Sequence, residues 1–323
     1  MTIRTGSAVA AAVVLLAGCA SLPESRPEAP AGKPAVNEQQ AGRVFDRYDD
    51  VNNAANATRD AEAVATIETG PLLETTLTGF QLAEANEDDA PDPFYHTNVA
   101  AFSPRFEAYP MWFVATSRIN SDPNRIAVLA LTRDRATGEW IVEQSANLGE
   151  VELPPVRLDG GAAPAATDEQ VARVTALLEQ VYEYLAGGDA PAGLDFAVEG
   201  LDTYRTWAEE STIQLDEVTA PNVSCQTDER AEMRVLPTQD GALGVATGRC
   251  TLAQSVDEDV PGEMTLGGEL SVLAPEPGRT VEFVSSHPLV VSVPDSGPAQ
   301  VFSGGWRWAD VTMSGGDGDD TEE

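Results

Sequence analysis

Lysine is nearly missing from this chain. Lys33 is the single one in 323 residues, and Lys plus Arg reach only 19 against 53 Asp plus Glu, a net charge of −34. Nucleic-acid binding requires a basic surface to meet the phosphates, so this balance argues against that class of partner. Anionic lipid headgroups should repel the body of the protein as well. Such a charge favours solubility, and it can attract cations or a basic partner. Histidine is almost as scarce. Only His96 and His287 occur, and neither accompanies a nucleophile motif such as G-x-S-x-G. H-E-x-x-H, phosphate-loop and dinucleotide fingerprints are missing too. No catalytic residue, cofactor-binding residue or metal ligand is therefore assigned, and the expectation is a protein that is not an enzyme. Both histidines are read as structural or surface residues. Beyond residue 19, no apolar run approaches the roughly 18 residues of a membrane-crossing helix.

What the chain does have begins at its N-terminus. Met1-Thr2-Ile3-Arg4 is followed by an apolar run from Ala8 to Ala17 and then by Gly18-Cys19. A basic start, a short apolar core and small residues are the layout of a secretory signal. Leu16-Ala17-Gly18-Cys19 resembles the lipobox of bacterial lipoproteins. That resemblance implies that residues 1–18 are removed and that the Cys19 thiol receives a diacylglycerol, a palmitate-type lipidation. The protein would then be held on the extracytoplasmic face of the cell membrane by its anchor. The alternative is an ordinary signal peptide with a stray cysteine.

After Cys19 only Cys225 and Cys250 remain. An even pair in an exported chain favours a disulfide. Closing a loop of about 25 residues is worth roughly 3–4 kcal/mol on the chain-entropy model. A redox-active pair lacks its C-x-x-C, and a two-ligand metal site lacks a nearby histidine.

Residues 19–37 carry prolines and few apolar side chains, as an extended linker does. A first module is expected over 38–153. Helical spacing predicts helices over 38–56, 59–69 (stopped by Gly70-Pro71) and 72–85. An acidic loop follows at 86–93, either a calcium-binding loop without EF-hand spacing or a solvated turn. Strands are predicted over 110–119, over 125–132 as a strand buried on both faces, and over 139–148. In the last of these, Trp140, Val142, Ala146 and Leu148 fall on one side and Glu143, Ser145 and Asn147 on the other. Residues 154–166 read as a second linker, and a second module as 167–313. Thr167 and Gln170 form a capping box. The helix behind it has an apolar stripe from Val171 to Leu185, and a further helix covers 201–210. Strands are expected near 213–219, 230–236, 242–255, 263–273, 280–293 and 300–312. The polar tail 314–323 should be disordered, and its Gly-Gly-Asp-Gly-Asp-Asp is half of a calcium-repeat motif. Trp112 with Phe113, and Trp306 with Trp308, either line a ligand pocket or fill the core.

The fold class expected is α+β, two modules of helices followed by a curved antiparallel sheet. Asn52-Asn53-Ala54-Ala55-Asn56-Ala57-Thr58-Arg59-Asp60, Ile67-Glu68-Thr69-Gly70-Pro71-Leu72-Leu73, Pro110-Met111-Trp112-Phe113-Val114-Ala115 and Asp240-Gly241-Ala242-Leu243-Gly244-Val245 make the chain similar to a family of uncharacterised actinobacterial lipoproteins. The arginine-for-lysine bias also looks like a GC-rich genome. That resemblance brings no activity with it. The element order resembles NTF2-like (cystatin-like) domains, whose sheet wraps around a cone-shaped pocket. The function expected is that of a non-enzymatic binding or interaction module of the cell envelope. Its partner is the membrane through Cys19, with an envelope protein or a small apolar ligand besides. An enzyme of the NTF2-like type would need a buried acid/base pair in its cone, and no residue stands out for it.

Overall fold

Asn37 starts the first helix. Its side chain accepts from the Gln40 backbone N–H at 2.8 Å, and the Gln40 side chain accepts from the Asn37 N–H at 2.9 Å, a capping box. The computed structural model describes residues 32–191, 194–195, 199–210 and 218–315. Cys19, the signal segment, most of the linker, nearly all of the strand expected at 213–219 and most of the tail lie outside them. A two-residue strand, β1 (Lys33–Pro34), precedes helix α1 (Glu38–Thr58). Ala41, Phe45, Tyr48, Asn52 and Ala55 of α1 are buried at helical spacing. The helix expected over 59–69 is a single turn, α2 (Ala61–Val64), capped by Asp60. Gly70-Pro71 does not stop a helix but opens α3 (Gly70–Ala85). Proline's missing N–H costs nothing in a first turn.

The first sheet contains β2 (His96–Phe102), β4 (Met111–Ile119), β5 (Asp122–Arg133) and β6 (Ile141–Leu148), antiparallel in the order β2-β4-β5-β6. The short β3 (Arg105–Phe106) pairs with β1. In β5, Ala127, Leu129 and Leu131 face the helices, while Ile126, Val128 and Ala130 face the other way. This strand is buried on both sides, as its apolar run predicted. The faces expected for β6 need correction. Leu131 pairs with Val142 but Ala130 with Gln144, so Glu143 is an extra residue in a bulge. A bulge shifts the alternation by one. Trp140 and Val142 therefore pack with the helices, Ala146 and Leu148 pack on the opposite face, and Ser145 and Asn147 come round to the helix side.

Residues 154–166 are not a free linker. Arg157 N–H donates to Pro237 O at 2.8 Å and Ala163 N–H to Ser103 O at 2.9 Å, and Ala162 and Ala163 are buried. The segment packs across both halves because its alanines and Val156 cover apolar surface between them.

Thr167 caps α4 (Asp168–Leu185) with the expected capping box. Then come β7 (Leu194–Asp195), α5 (Glu199–Glu210), β8 (Asn222–Thr227), β9 (Arg234–Thr238), β10 (Gly241–Ser255), β11 (Thr280–Pro294), β12 (Ala299–Ser303) and β13 (Arg307–Ser314). β10 and β11, 15 residues each, form the spine of the second sheet. β9 and β8 share the outer edge of β10; β12 and β13 share that of β11. The strand expected over 263–273 is not one. Gly268 takes φ +63° and a 3-10 turn covers Gly268–Val272. The alternating Met264, Leu266 and Leu270 instead plug one end of the sheet against Val281 and Val311. The strand expected at 300–312 is split at Gly304-Gly305. Cys225 and Cys250 lie directly opposite in the β8–β10 register and are disulfide-bonded.

Four layers result: α1 and α3, first sheet, second sheet, α4 and α5. The two sheets meet through Val114, Val128 and Leu148 on one side and Leu236, Leu243 and Val290 on the other. Gly32 onward is one compact unit. Phe45, Phe113, Leu129 and Leu131 fill the space between α1 and the first sheet. Glu74 of α3 also reaches across to Arg230 (2.7 Å) and Arg249 (2.9 Å) of the second half.

Candidate ligand cleft

The stripe that α1 turns toward the sheet changes character along its length. Ala41 and Phe45 are core, but Tyr48, Asn52 and Asn56 continue the same row at four-residue spacing and line a cleft of about 380 Å³. Thr75, Thr76, Gly79 and Phe80 of α3 form the facing wall. Ser145 and Asn147 reach the floor because of the Glu143 bulge. Arg307, the first residue of β13, lies at the rim.

Glu68 is the buried acid of this cleft, 3% exposed. It sits between α2 and α3 on a stretch tied to β6, where Thr69 N–H donates to Val142 O at 3.0 Å. The Tyr48 hydroxyl donates to its Oε1 at 2.9 Å and the Thr76 hydroxyl to its Oε2 at 2.6 Å. Burial pushes the Glu68 carboxyl above the ordinary carboxylate range, against the pull of these hydroxyls and of the Arg307 charge. Burial and the neighbouring Glu68 hold the Tyr48 phenol well above its usual value.

His96, the first residue of β2, lies on Asp49 of α1. Its Nδ1 is 2.5 Å from Asp49 Oδ1, and its backbone N–H donates to Oδ2 at 2.8 Å. Both side chains are buried, and His96 lines the cleft. The adjoining acidic loop is clamped. Asn53 exchanges two hydrogen bonds with the Phe94 backbone, and the Arg59 guanidinium donates to Ala83 O and Asp88 O. Asn52 is 4% exposed, yet its side chain makes no hydrogen bond among the described residues. The Arg307 side chain makes neither a hydrogen bond nor an ion pair among them. Among the described residues no group of three His, Cys, Asp or Glu converges as a metal site would require.

The other residues singled out in the sequence lie elsewhere. His287 is fully buried in β11, with Nε2 2.9 Å from Ser285 Oγ and the Tyr204 ring edge-on at 4.5 Å. Burial lowers its pKa to about 3, so it is a neutral core residue. Trp306 and Trp308 interlock with Trp207, and Trp112 stacks on the Arg234 guanidinium. None of these lines the cleft. The sequence did carry one signal for the site. Asn52 occupies a core position of the α1 stripe, where an amide requires a partner.

An αββα sandwich with an open, mixed-polarity cleft under its first helical layer is what fold and site define. The chain belongs to the family described as a domain of unknown function, DUF8094, which matches residues 32–308. It is 29% identical over 203 residues to an uncharacterized lipoprotein of Streptomyces coelicolor, covering 56% of each chain. To an uncharacterized lipoprotein of Streptomyces avermitilis it is 29% identical over 173 residues, covering 52% of this chain and 50% of the other. A further S. coelicolor lipoprotein is 26% identical over 146 residues, 43% of this chain and 44% of its own. The chain thus spans about half the length of the curated relatives it matches. No solved structure matches it.

Proposed function

We propose that this protein is a lipid-anchored extracytoplasmic binding module, without enzymatic activity, that holds a small polar molecule in the cleft between α1 and α3. Cys19 carries the anchor and the proline-rich segment behind it spaces the folded body from the membrane. The lipoprotein relatives support the anchor, as does the Leu16-Ala17-Gly18-Cys19 motif. Among the described residues no helix is long and apolar enough to cross a membrane. Asn52 carries the ligand reading. Its side chain lines the cleft with no protein hydrogen-bond partner among the described residues, so its amide is free to meet a bound molecule. The lining also bears Glu68, Asn56 and Arg307, which suits a polar ligand better than the apolar one expected from a cone.

Native mass spectrometry of protein extracted gently from its own membrane tests this reading. A stoichiometric small-molecule mass is expected on the natural chain and its loss on Asn52→Leu. A bare natural chain would instead direct the search to crosslinked envelope partners. Cys19→Ala should move the protein from membrane to soluble fraction, and retention in the membrane would count against the anchor.

A second reading has its own observation. Glu68, buried beside Tyr48, and the Asp49–His96 pair are the kind of acid and base that proton-transfer enzymes use. Both Glu68 oxygens already accept hydroxyls from the protein, which favours holding over proton transfer. Recovery of an altered ligand after incubation would reverse that order.

A further inference from the structure

The floor of the cleft is rich in hydrogen-bond acceptors, and its rim carries a cation. Each Glu68 oxygen accepts one hydroxyl, and a carboxylate oxygen has room for two donors. Each therefore keeps a place open. The His96 Nδ1 lies on the Asp49 carboxylate, and its Nε2 makes no hydrogen bond among the described residues. The Asn52 amide oxygen is likewise unmet. Tyr48, Phe80 and Phe94 line the same space, and aromatic rings attract cations.

No cation lies within ion-pair distance of Glu68 among the described residues, although a buried carboxylate is costly without one. Arg307 is close enough for its charge to act on Glu68 and Tyr48, yet it pairs with no carboxylate among them. One cleft thus presents an anion lacking its cation and a cation lacking its anion.

We propose that the cleft selects a small zwitterion, its ammonium group held at Glu68 and its carboxylate at Arg307. This rests on the reading of the cleft as a binding site. The volume of about 380 Å³ suits a molecule of amino-acid to dipeptide size. An amine alone leaves Arg307 unmet. A carboxylate alone meets repulsion from Glu68, and a neutral sugar leaves both charges unpaired.

The full chain, purified in detergent and freed of any bound ligand, is titrated calorimetrically with four sets of probes. These are free amino acids and dipeptides, the same molecules N-acetylated, the corresponding amines without the carboxylate, and neutral hexoses. At least one zwitterion should bind, and its acetylated and decarboxylated counterparts should bind about tenfold more weakly or worse. Arg307→Gln, a change at an exposed position, should weaken the zwitterion about tenfold and leave the bare amine within about twofold. Equal binding of a zwitterion and its acetylated form, or an unchanged affinity in Arg307→Gln, overturns the charge assignment. Binding of hexoses alone overturns the ligand class and leaves the binding site standing. No binding from any set overturns both.

Discussion

Between α4 and the second sheet, Val174 and Tyr182 lie against Gly244 and Gly248 of β10. A Cβ on Gly244 would stand 2.4 Å from Val174 Cγ1, and one on Gly248 would stand 2.6 Å from Tyr182 Cε1. Ala242, Gly244, Ala246 and Gly248 form a strip of small residues that lets the helix settle onto the strands. Between α1, α3 and the first sheet the corresponding space is lined by Tyr48, Asn52 and Glu68, and it stays open. The layering is the same in both halves, helix on antiparallel sheet. Small residues close one interface; polar residues that require partners keep part of the other wet. A cleft in such a sandwich is thus a matter of side-chain chemistry at a few inward positions rather than of fold.

The largest effect should come from spoiling the closed interface. Gly244→Val places methyls where Val174 and Val291 already lie, and overpacking of that kind costs about 3 kcal/mol. Denaturant unfolding should show it as a shifted midpoint with an unchanged slope. An undiminished midpoint would mean that α4 is not tightly seated.

The two halves also bury ionisable groups with opposite signs. His287 titrates near 6.5 unfolded and is lowered to about 3 by burial. Its stabilisation is complete above 6.5 and is lost as pH falls toward 3. From pH 7 to pH 5 that amounts to roughly 2 kcal/mol, which His287→Gln should not lose. Glu68 is raised by burial. Its stabilisation is present in acid and is lost as pH rises through its folded value. Glu68→Gln should therefore gain on the natural chain as pH rises above the ordinary carboxylate range. Thermal melts of both variants across these pH ranges check the signs, and parallel curves would show that neither group titrates differently on folding.

The smallest change is expected on the cleft side. Gly79 lies within α3, and a Cβ there meets nothing within 4 Å. Gly79→Ala should stabilise the protein by about 0.5–1 kcal/mol through helix propensity. A loss instead would show that the cleft is narrower than it stands here.

Much of the fold was legible because local rules agreed with the final structure. The capping box at Thr167, the stripe from Val171 to Leu185 and the doubly buried run in β5 each follow from period and chemistry within one segment. The strand expected at 263–273 shows the limit of that reasoning. Met264, Leu266 and Leu270 alternate as in a strand, but Gly267-Gly268 turns the chain, and burial at the sheet's end satisfies the same apolar residues. In β6 one bulged residue, Glu143, reversed the faces of everything after it. The strand β2, with His96 at its start, gave no periodic signal at all.

Composition and short motifs alone determined the acidic character, the helices-before-strands layout, the pairing of Cys225 with Cys250 and the placement of a lipobox-like segment before the folded body. These depend on local sequence or on counting. Tertiary structure alone decided that the two sheets share one core, that residues 154–166 pack rather than link, and that Tyr48, Glu68, Asn52, His96 and Arg307 meet in one cleft. Those residues lie up to 259 positions apart, from Tyr48 to Arg307. Only the stacking of α1 and α3 over the first sheet, with β13 brought alongside, sets their charges and unmet hydrogen bonds within reach of one another.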